Sequence, residues 1–325
     1  MRYVIYGAGA IGGAIGARLH GSGREVILIC RGAHLEAVQR NGLTLRTPAA
    51  TLTARVPAVG SPGDIDFRED DAVLLTMKSQ HTADALADLR ACAPDVPVIC
   101  AQNGVANERM ALRRFSRVYG MLVVLPAVHL EPGVVLTHAT GVGGILDAGC
   151  YPAGTDALIE RVTADLTAAG FAARPDARVM RLKYAKLLQN IGNAVQALCG
   201  PDAAAGELIR ELRAEAMACY EAAGIDYASP AELRERSSQI TLGEIEGQAR
   251  WGGSSWQSLA RGAGSIETDF LNGEVALLAA LHGTPAPYNR LLQRLAAAAV
   301  RDGSAPGSYT VEQLLAMGEG AAGGK

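Results

Sequence analysis

Residues 4–12 read Val4-Ile5-Tyr6-Gly7-Ala8-Gly9-Ala10-Ile11-Gly12, an apolar strand that runs without interruption into a glycine-rich turn. The first glycine permits a tight turn after the strand. The second lets a ligand reach bare backbone, and the third lets the following helix pack close to the sheet. With 38 glycines in 325 residues, chance alone supplies about 0.5 matches to this spacing, so context has to decide. The turn lies within the first dozen residues, opens the helical stretch 11–20, and is followed by a second apolar strand over 24–29. That is a βαβ unit with a dinucleotide fingerprint, and the helix N-terminus faces the pyrophosphate.

The end of the second strand bears on which dinucleotide. NAD-binding versions place a carboxylate there to hold the ribose 2′-hydroxyl. Here Val26-Ile27-Leu28-Ile29-Cys30 ends on Arg31, and a guanidinium can clamp a 2′-phosphate. The expectation is NADPH; the plain alternative is a solvated arginine at a strand end.

A chain of 325 residues is long for one core and is expected to form two domains, 1–175 and 176–325. The net charge of −3 gives no sign of a nucleic-acid or membrane-surface partner. Cys30, Cys92, Cys100, Cys150, Cys199 and Cys219 show no metal-ligand or disulfide spacing, so no metal is expected and the thiols suit a reducing cytoplasm. Arg2 before small apolar residues imitates a secretory leader, but that stretch is the glycine turn itself. No run approaches the ~20 apolar residues that span a bilayer. The Gly/Ala-rich tail 318–325 is expected to fray.

Further along, residues 34–41 read as a short helix and 43–46 with 52–56 as two strands about a turn. Ala72-Val73-Leu74-Leu75-Thr76-Met77 leads to Lys78, and Val96-Pro97-Val98-Ile99-Cys100-Ala101 leads to Gln102-Asn103-Gly104. Alternation of strand and helix to about residue 130 predicts a doubly wound parallel sheet. Beyond Val179 the Ala/Leu-rich stretches 180–198, 203–223, 265–282 and 288–300 predict helices. The fold class is therefore α/β, an N-terminal Rossmann-type doubly wound sheet followed by an all-helical C-terminal domain. Arg174-Pro175-Asp176 marks the boundary, with Asp176 placed to cap the next helix.

Ligands of doubly wound sheets sit beyond the carboxyl ends of the strands, and three strands end there on Arg31, Lys78 and Asn103. In the stretch 180–198, Lys186 and Asn190 are four apart and share a helix face. A lysine on an apolar helix lining an interdomain cleft loses water, so its pKa falls and its proton passes more readily to a carbonyl oxygen gaining charge. A solvated lysine on the outer face has the same periodicity. The six histidines form no cluster, and none is assigned to catalysis.

In order along the chain stand Gly7-Ala8-Gly9-Ala10-Ile11-Gly12, Arg31, Met77-Lys78-Ser79-Gln80, Gln102-Asn103-Gly104, Glu131-Pro132-Gly133-Val134-Val135, Lys186-Leu187-Leu188-Gln189-Asn190, Ser254-Ser255-Trp256 and, twelve residues after Ser255, Glu267. This succession resembles the ketopantoate (2-dehydropantoate) reductase family. The resemblance implies NADPH-dependent reduction of a 2-oxo acid to a 2-hydroxy acid, with ketopantoate the first candidate, in pantothenate biosynthesis. It implies Lys186 as the catalytic lysine and Glu267 as the glutamate that assists it. Asn103, Asn190 and Ser255 match substrate positions. Gly7 to Gly12, Arg31, Lys78, Gln80 and Asn103 match positions around the cofactor.

One position departs from the family pattern. Eight residues after the lysine, where a second asparagine is expected, the chain has Ala194, with Asn193 one position earlier and about 100° around a continuous helix. A lost polar contact shifts selectivity strongly, so a different 2-oxo acid stays open. An opine-type dehydrogenase and a non-catalytic NADPH-binding module are the other readings. Trp251-Gly252-Gly253-Ser254-Ser255-Trp256 also reads as a plain loop whose serines cap a helix, and Glu267 as a first-turn carboxylate favoured by the helix dipole. The Ala/Leu-rich helices can bury their faces in a homodimer or in a monomer's core.

Overall fold

The computed structural model describes residues 1–247, 254–260, 262 and 264–323; residues 251–253 of the expected loop 251–256 and the last two residues of the tail lie outside these, and 254–256 open a helix rather than a loop. The chain begins β1 (Arg2–Tyr6), α1 (Ala10–Gly21), β2 (Glu25–Ile29), α2 (Gly32–Asn41), β3 (Leu43–Arg46), β4 (Thr51–Ala54), β5 (Ala58–Val59), β6 (Asp71–Leu75), α3 (Thr82–Cys92), β7 (Val98–Cys100), α4 (Asn107–Leu112) and β8 (Val118–Met121). It continues through β9 (Ala127–Glu131), β10 (Val134–Thr137), β11 (Ala139–Gly141), β12 (Ala148–Cys150), α5 (Ala157–Ala168), α6 (Val179–Asn190), α7 (Asn193–Cys199), α8 (Gly206–Ala222), α9 (Pro230–Ser237) and β13 (Ile240–Leu242). The last helices are α10 (Ser254–Ala260), α11 (Asn272–His282), α12 (Pro287–Arg301) and α13 (Val311–Gly323). Two compact units form: Met1–Asn103, Asn107–Lys183 and residues 228–247 in one, and Gly104–Ala106, Tyr184–Tyr227 and the described residues from 254 onward in the other.

The first unit is built on a seven-stranded sheet ordered β12-β8-β7-β6-β1-β2-β5. All its pairings are parallel except β12 on β8, so strand order reverses at β1 as in a doubly wound fold. Every residue of β1 is buried, because both faces of the sheet are covered. Alternate side chains serve opposite cores: Tyr3 and Ile5 join Ile15, Leu28 and Leu74, while Val4 and Tyr6 join Val73, Leu75 and Leu86. Register is pinned by charge as well, since Arg2 is bidentate to Asp71, its partner across β1 and β6, at 2.7 Å.

A second sheet, ordered β4-β3-β10-β9, packs on α1. The segment 228–247 adds α9 and β13, and β13 pairs antiparallel with β11. Arg236 on α9 grips the fully buried Asp147 through Nε at 2.6 Å and Nη2 at 2.5 Å.

The second unit is helical throughout its described residues, with Leu212, Tyr220, Val275, Leu292 and Ala296 among its buried side chains. Two expectations change here. The stretch 180–198 is not one helix: α6 stops at Asn190 and α7 starts at Asn193. The buried Asn272 donates Nδ2–H to the Ile191 carbonyl at 3.1 Å and so satisfies backbone at the break. The tail does not fray from 318 either, since α13 runs to Gly323 with Leu314 fully buried.

Candidate active site

The glycine turn is held from three directions. Gly7 and Ala8 donate their backbone N–H to the Ile29 carbonyl at 3.0 and 3.1 Å, which ties the turn to the end of β2. Thr76 Oγ1, just past β6, donates toward the carbonyls of Tyr6 at 3.1 Å and Gly7 at 2.9 Å. Gly7 has φ +102°, and a Cβ there would approach Met77 N to 2.8 Å, so only glycine fits. At Gly9 the surroundings are open, with no atom of the described residues beyond its own chain neighbours and helix backbone within 4 Å of where a Cβ would stand. Helix α1 begins there with no side-chain cap and no acidic residue in its first turn. Unshielded N–H groups at the head of a 12-residue helix, beside open space, fit the pyrophosphate of a nicotinamide dinucleotide.

Arg31 is the N-cap residue of α2, and its side chain is 71% exposed, with Asp88 of α3 3.8 Å away. An exposed pair at that distance is weak, which leaves the guanidinium available to a stronger anion. Lys78 leads a short 3-10 turn over Ser79–His81 that contains Gln80; Lys78, Gln80 and Asn103 are all half-buried.

Beneath Lys78 and Asn103 lies a polar lattice that the sequence did not signal. Gln102 Nε2 donates to the Met77 carbonyl and to Thr82 Oγ1, each at 2.8 Å. Thr82 donates to Asn107 Oδ1 at 2.9 Å, and Asn107 Nδ2 donates to Ser79 Oγ at 3.1 Å and the Asn103 carbonyl at 3.2 Å. Lys183, on α6, closes the lattice: its Nζ donates to the carbonyls of Gln102 at 2.7 Å and Met121 at 3.1 Å and pairs with Glu108 Oε1 at 2.8 Å. The turns after β6 and β7 are thereby fixed to one another. The one available hint was Lys183 itself, three residues before Lys186.

In the second unit, Lys186 is half-buried, and Nζ donates to Gln189 Oε1 at 3.2 Å. Burial lowers its pKa from the ordinary 10.5 of a lysine. Asn190, one turn on, is buried at the end of α6. Ser255 on α10 is 2% exposed, and its Oγ has no hydrogen-bond partner among the described residues. Glu267 is buried at the head of a 3-10 turn over Glu267–Phe270, which packs on α11 and α12.

The helix break gathers these segments. Asn272, five residues after Glu267, bonds the carbonyl of Ile191, next to Asn190. Helix α10, with Ser255, packs on α7 directly after the break. Gly104, in the same unit, has φ +77°, and a Cβ there would stand 3.1 Å from the Phe270 carbonyl. The break also revises the geometry at Ala194. The 100° offset of Asn193 assumed a continuous helix, whereas Asn193 opens α7 and Ala194 is buried at 1% exposure.

Among the described residues no group of three or more His, Cys, Asp or Glu could hold a metal, and no helix is long and apolar enough to cross a membrane. The cysteines are free thiols.

A doubly wound sheet with this turn, joined to a helical unit carrying a partly desolvated lysine, defines a class: an oxidoreductase on a dinucleotide-binding scaffold. The family described as ketopantoate reductase PanE/ApbA matches residues 3–152, and its C-terminal part matches residues 178–300. A 2-dehydropantoate 2-reductase of Pyrococcus horikoshii is 30% identical over 91% of this chain and 96% of its own. The crystal structure of a PanE/ApbA family ketopantoate reductase from Ralstonia eutropha JMP134 superposes with a TM-score of 0.79 at 28% identity, covering 93% of this chain and 99% of that one. A D-mandelate dehydrogenase solved with NADH and anilino(oxo)acetate shares the fold, with a TM-score of 0.79 at 22% identity and the same coverage of both chains. The chain belongs to the ketopantoate reductase family.

Proposed function

We propose that this chain is a cytoplasmic NADPH-dependent reductase that converts a 2-oxo acid to the 2-hydroxy acid, with 2-dehydropantoate yielding pantoate as its reaction. The observation that carries the reading is Lys186. It is a half-buried lysine of lowered pKa in the family's Lys-xxx-Asn position, with Asn190, Ser255 and Glu267 in the same unit.

Gly7 to Gly12 would hold the pyrophosphate, and Arg31 with Lys78 the 2′-phosphate; Gln80 and Asn103 complete the nucleotide side. When bound, the nicotinamide supplies the hydride. Lys186 donates the proton at the carbonyl oxygen as that atom gains charge, and its lowered pKa eases the transfer. Glu267 keeps the lysine protonated until then and receives the substrate's hydroxyl. Ser255 Oγ, otherwise unpartnered, donates to the substrate carboxylate, while Asn103 and Asn190 orient the acid.

The test is cofactor oxidation followed by absorbance, with 2-dehydropantoate beside other branched, aromatic and hydroxylated 2-oxo acids, using NADPH and NADH in parallel. Selective turnover of 2-dehydropantoate with NADPH is the expected result. Turnover of another acid alone would direct attention to Ala194. Turnover only when an amine is supplied would identify an opine-type enzyme, and binding without turnover a non-catalytic module. Arg31→Asp is expected to reverse the cofactor preference; an unchanged preference would remove Arg31 from the assignment.

A further inference from the structure

The Pro-Gly turn Glu131-Pro132-Gly133 joins β9 to β10 and has no role in the proposed chemistry. It touches the glycine turn through one side chain. His34 of α2 is buried at 9% exposure and its ring is engaged at both nitrogens. Gly133 donates its backbone N–H to Nδ1 at 2.9 Å, so Nδ1 is the unprotonated nitrogen and the ring proton sits on Nε2. Nε2 lies 2.8 Å from the carbonyl of Ala8, the second residue of the glycine turn, and donates to it. His129 of β9 stands edge-on at 4.3 Å between centroids, with Nε2 3.1 Å from His34 Nδ1.

The backbone on both sides is demanding. Gly133 has φ +78°, and a Cβ there would stand 3.1 Å from that of Ala37, so the turn and α2 fit closely only with glycine. We propose that His34 is a positioning residue for the dinucleotide site, held in its Nε2–H tautomer by the Pro-Gly turn so that it fixes the Ala8 peptide. This rests on the dinucleotide reading above. It gives the second sheet a part in cofactor binding, since the turn that sets the tautomer belongs to that sheet.

Protonation undoes the arrangement. A second proton would go to Nδ1, where it would face the Gly133 N–H and the ring of His129. The ionisable side chain placed against His34 is His129. Burial holds His34 below the ordinary 6.5, against a smaller opposing effect of the Ala8 carbonyl. The Gly133 N–H bond to Nδ1 that orients the ring is therefore complete above that range and is lost as pH falls below it, while Nε2–H remains a donor without its anchor.

The experiment measures binding of NADP+ by titration calorimetry to the full chain, its His34→Leu variant and its His34→Gln variant, across about pH 5–8. At neutral pH His34→Leu should weaken binding by about tenfold, the effect of one lost hydrogen bond in a dry site, with kcat at saturating cofactor unchanged. Glutamine offers a donor at Nε2 and cannot titrate, so His34→Gln should bind like the wild type at neutral pH and lack its acid-side weakening. Titration of the 2′-phosphate is common to both proteins and cancels in their ratio.

Wild-type affinity in His34→Leu, or equal acid weakening in the wild type and His34→Gln, overturns the proposal. If His34→Leu does not fold, the second comparison decides alone. A wild type that binds neither NADP+ nor NAD+ would instead overturn the cofactor reading on which the proposal stands.

Discussion

The middle of α6 carries two lysines three residues apart that have been given opposite environments. Lys183 is all but excluded from solvent, yet each of its three N–H bonds meets an acceptor: two main-chain carbonyls and the Glu108 carboxylate. Lys186 keeps more exposure but has, among the described residues, one long hydrogen bond, to the neutral amide of Gln189, and burial depresses its pKa. Burial alone does not make a lysine a proton donor; burial without acceptors does. The saturated ammonium holds a turn still, while the under-served one suits the proton-donor role proposed for it.

Exchanging these roles should fail in both directions. Lys186→Ala is expected to lower kcat by about 10² to 10⁴, the usual span for a general acid, with cofactor affinity unchanged by fluorescence titration. Intact turnover in that variant would move the proton donor elsewhere. Lys183→Met is expected to leave kcat measurable but to strand Glu108 in the core, a loss of roughly 3–5 kcal/mol read from the urea midpoint. Lys183→Met with Glu108→Leu removes both charges and should recover most of that loss. A double variant no more stable than the single would show that the pair itself, rather than the stranded carboxylate, matters.

The smallest effect concerns pH. With Lys186 as the proposed proton donor, kcat/KM should fall as pH rises, with the midpoint below the ordinary lysine value of 10.5. In Lys186→Arg the group stays charged, and this limb should vanish. An alkaline limb unmoved by the substitution would belong to another group.

Much of this was legible before any coordinates. Local patterns carried it: the glycine turn, the runs ending at Arg31, Lys78 and Asn103, and the helical texture after Val179 all depend on neighbours in sequence. The features that escaped depend on distant partners. Lys183 meets Glu108 from 75 positions away, and His34 reaches Gly133 across 99. No periodicity encodes either contact. The break at Ile191–Gly192 escaped because one glycine inside an apolar helical run costs only about 1 kcal/mol. At the break it is Asn272, 81 residues later, that donates to the Ile191 carbonyl. The strand Ile240–Leu242 is three residues long and earns its place by pairing with β11.

That returning strand bears on how the chain could be divided. Arg236 neutralises Asp147 from a segment that follows the 44-residue stretch Tyr184–Tyr227 of the second unit. No single cut therefore frees the first unit whole. A fragment ending at Lys183 would keep Asp147 without its buried partner and β11 without its edge. The two units are inherited as one piece of polypeptide, and a shuffled or split gene would have to carry the interleaved segment 228–247 along with the sheet it completes.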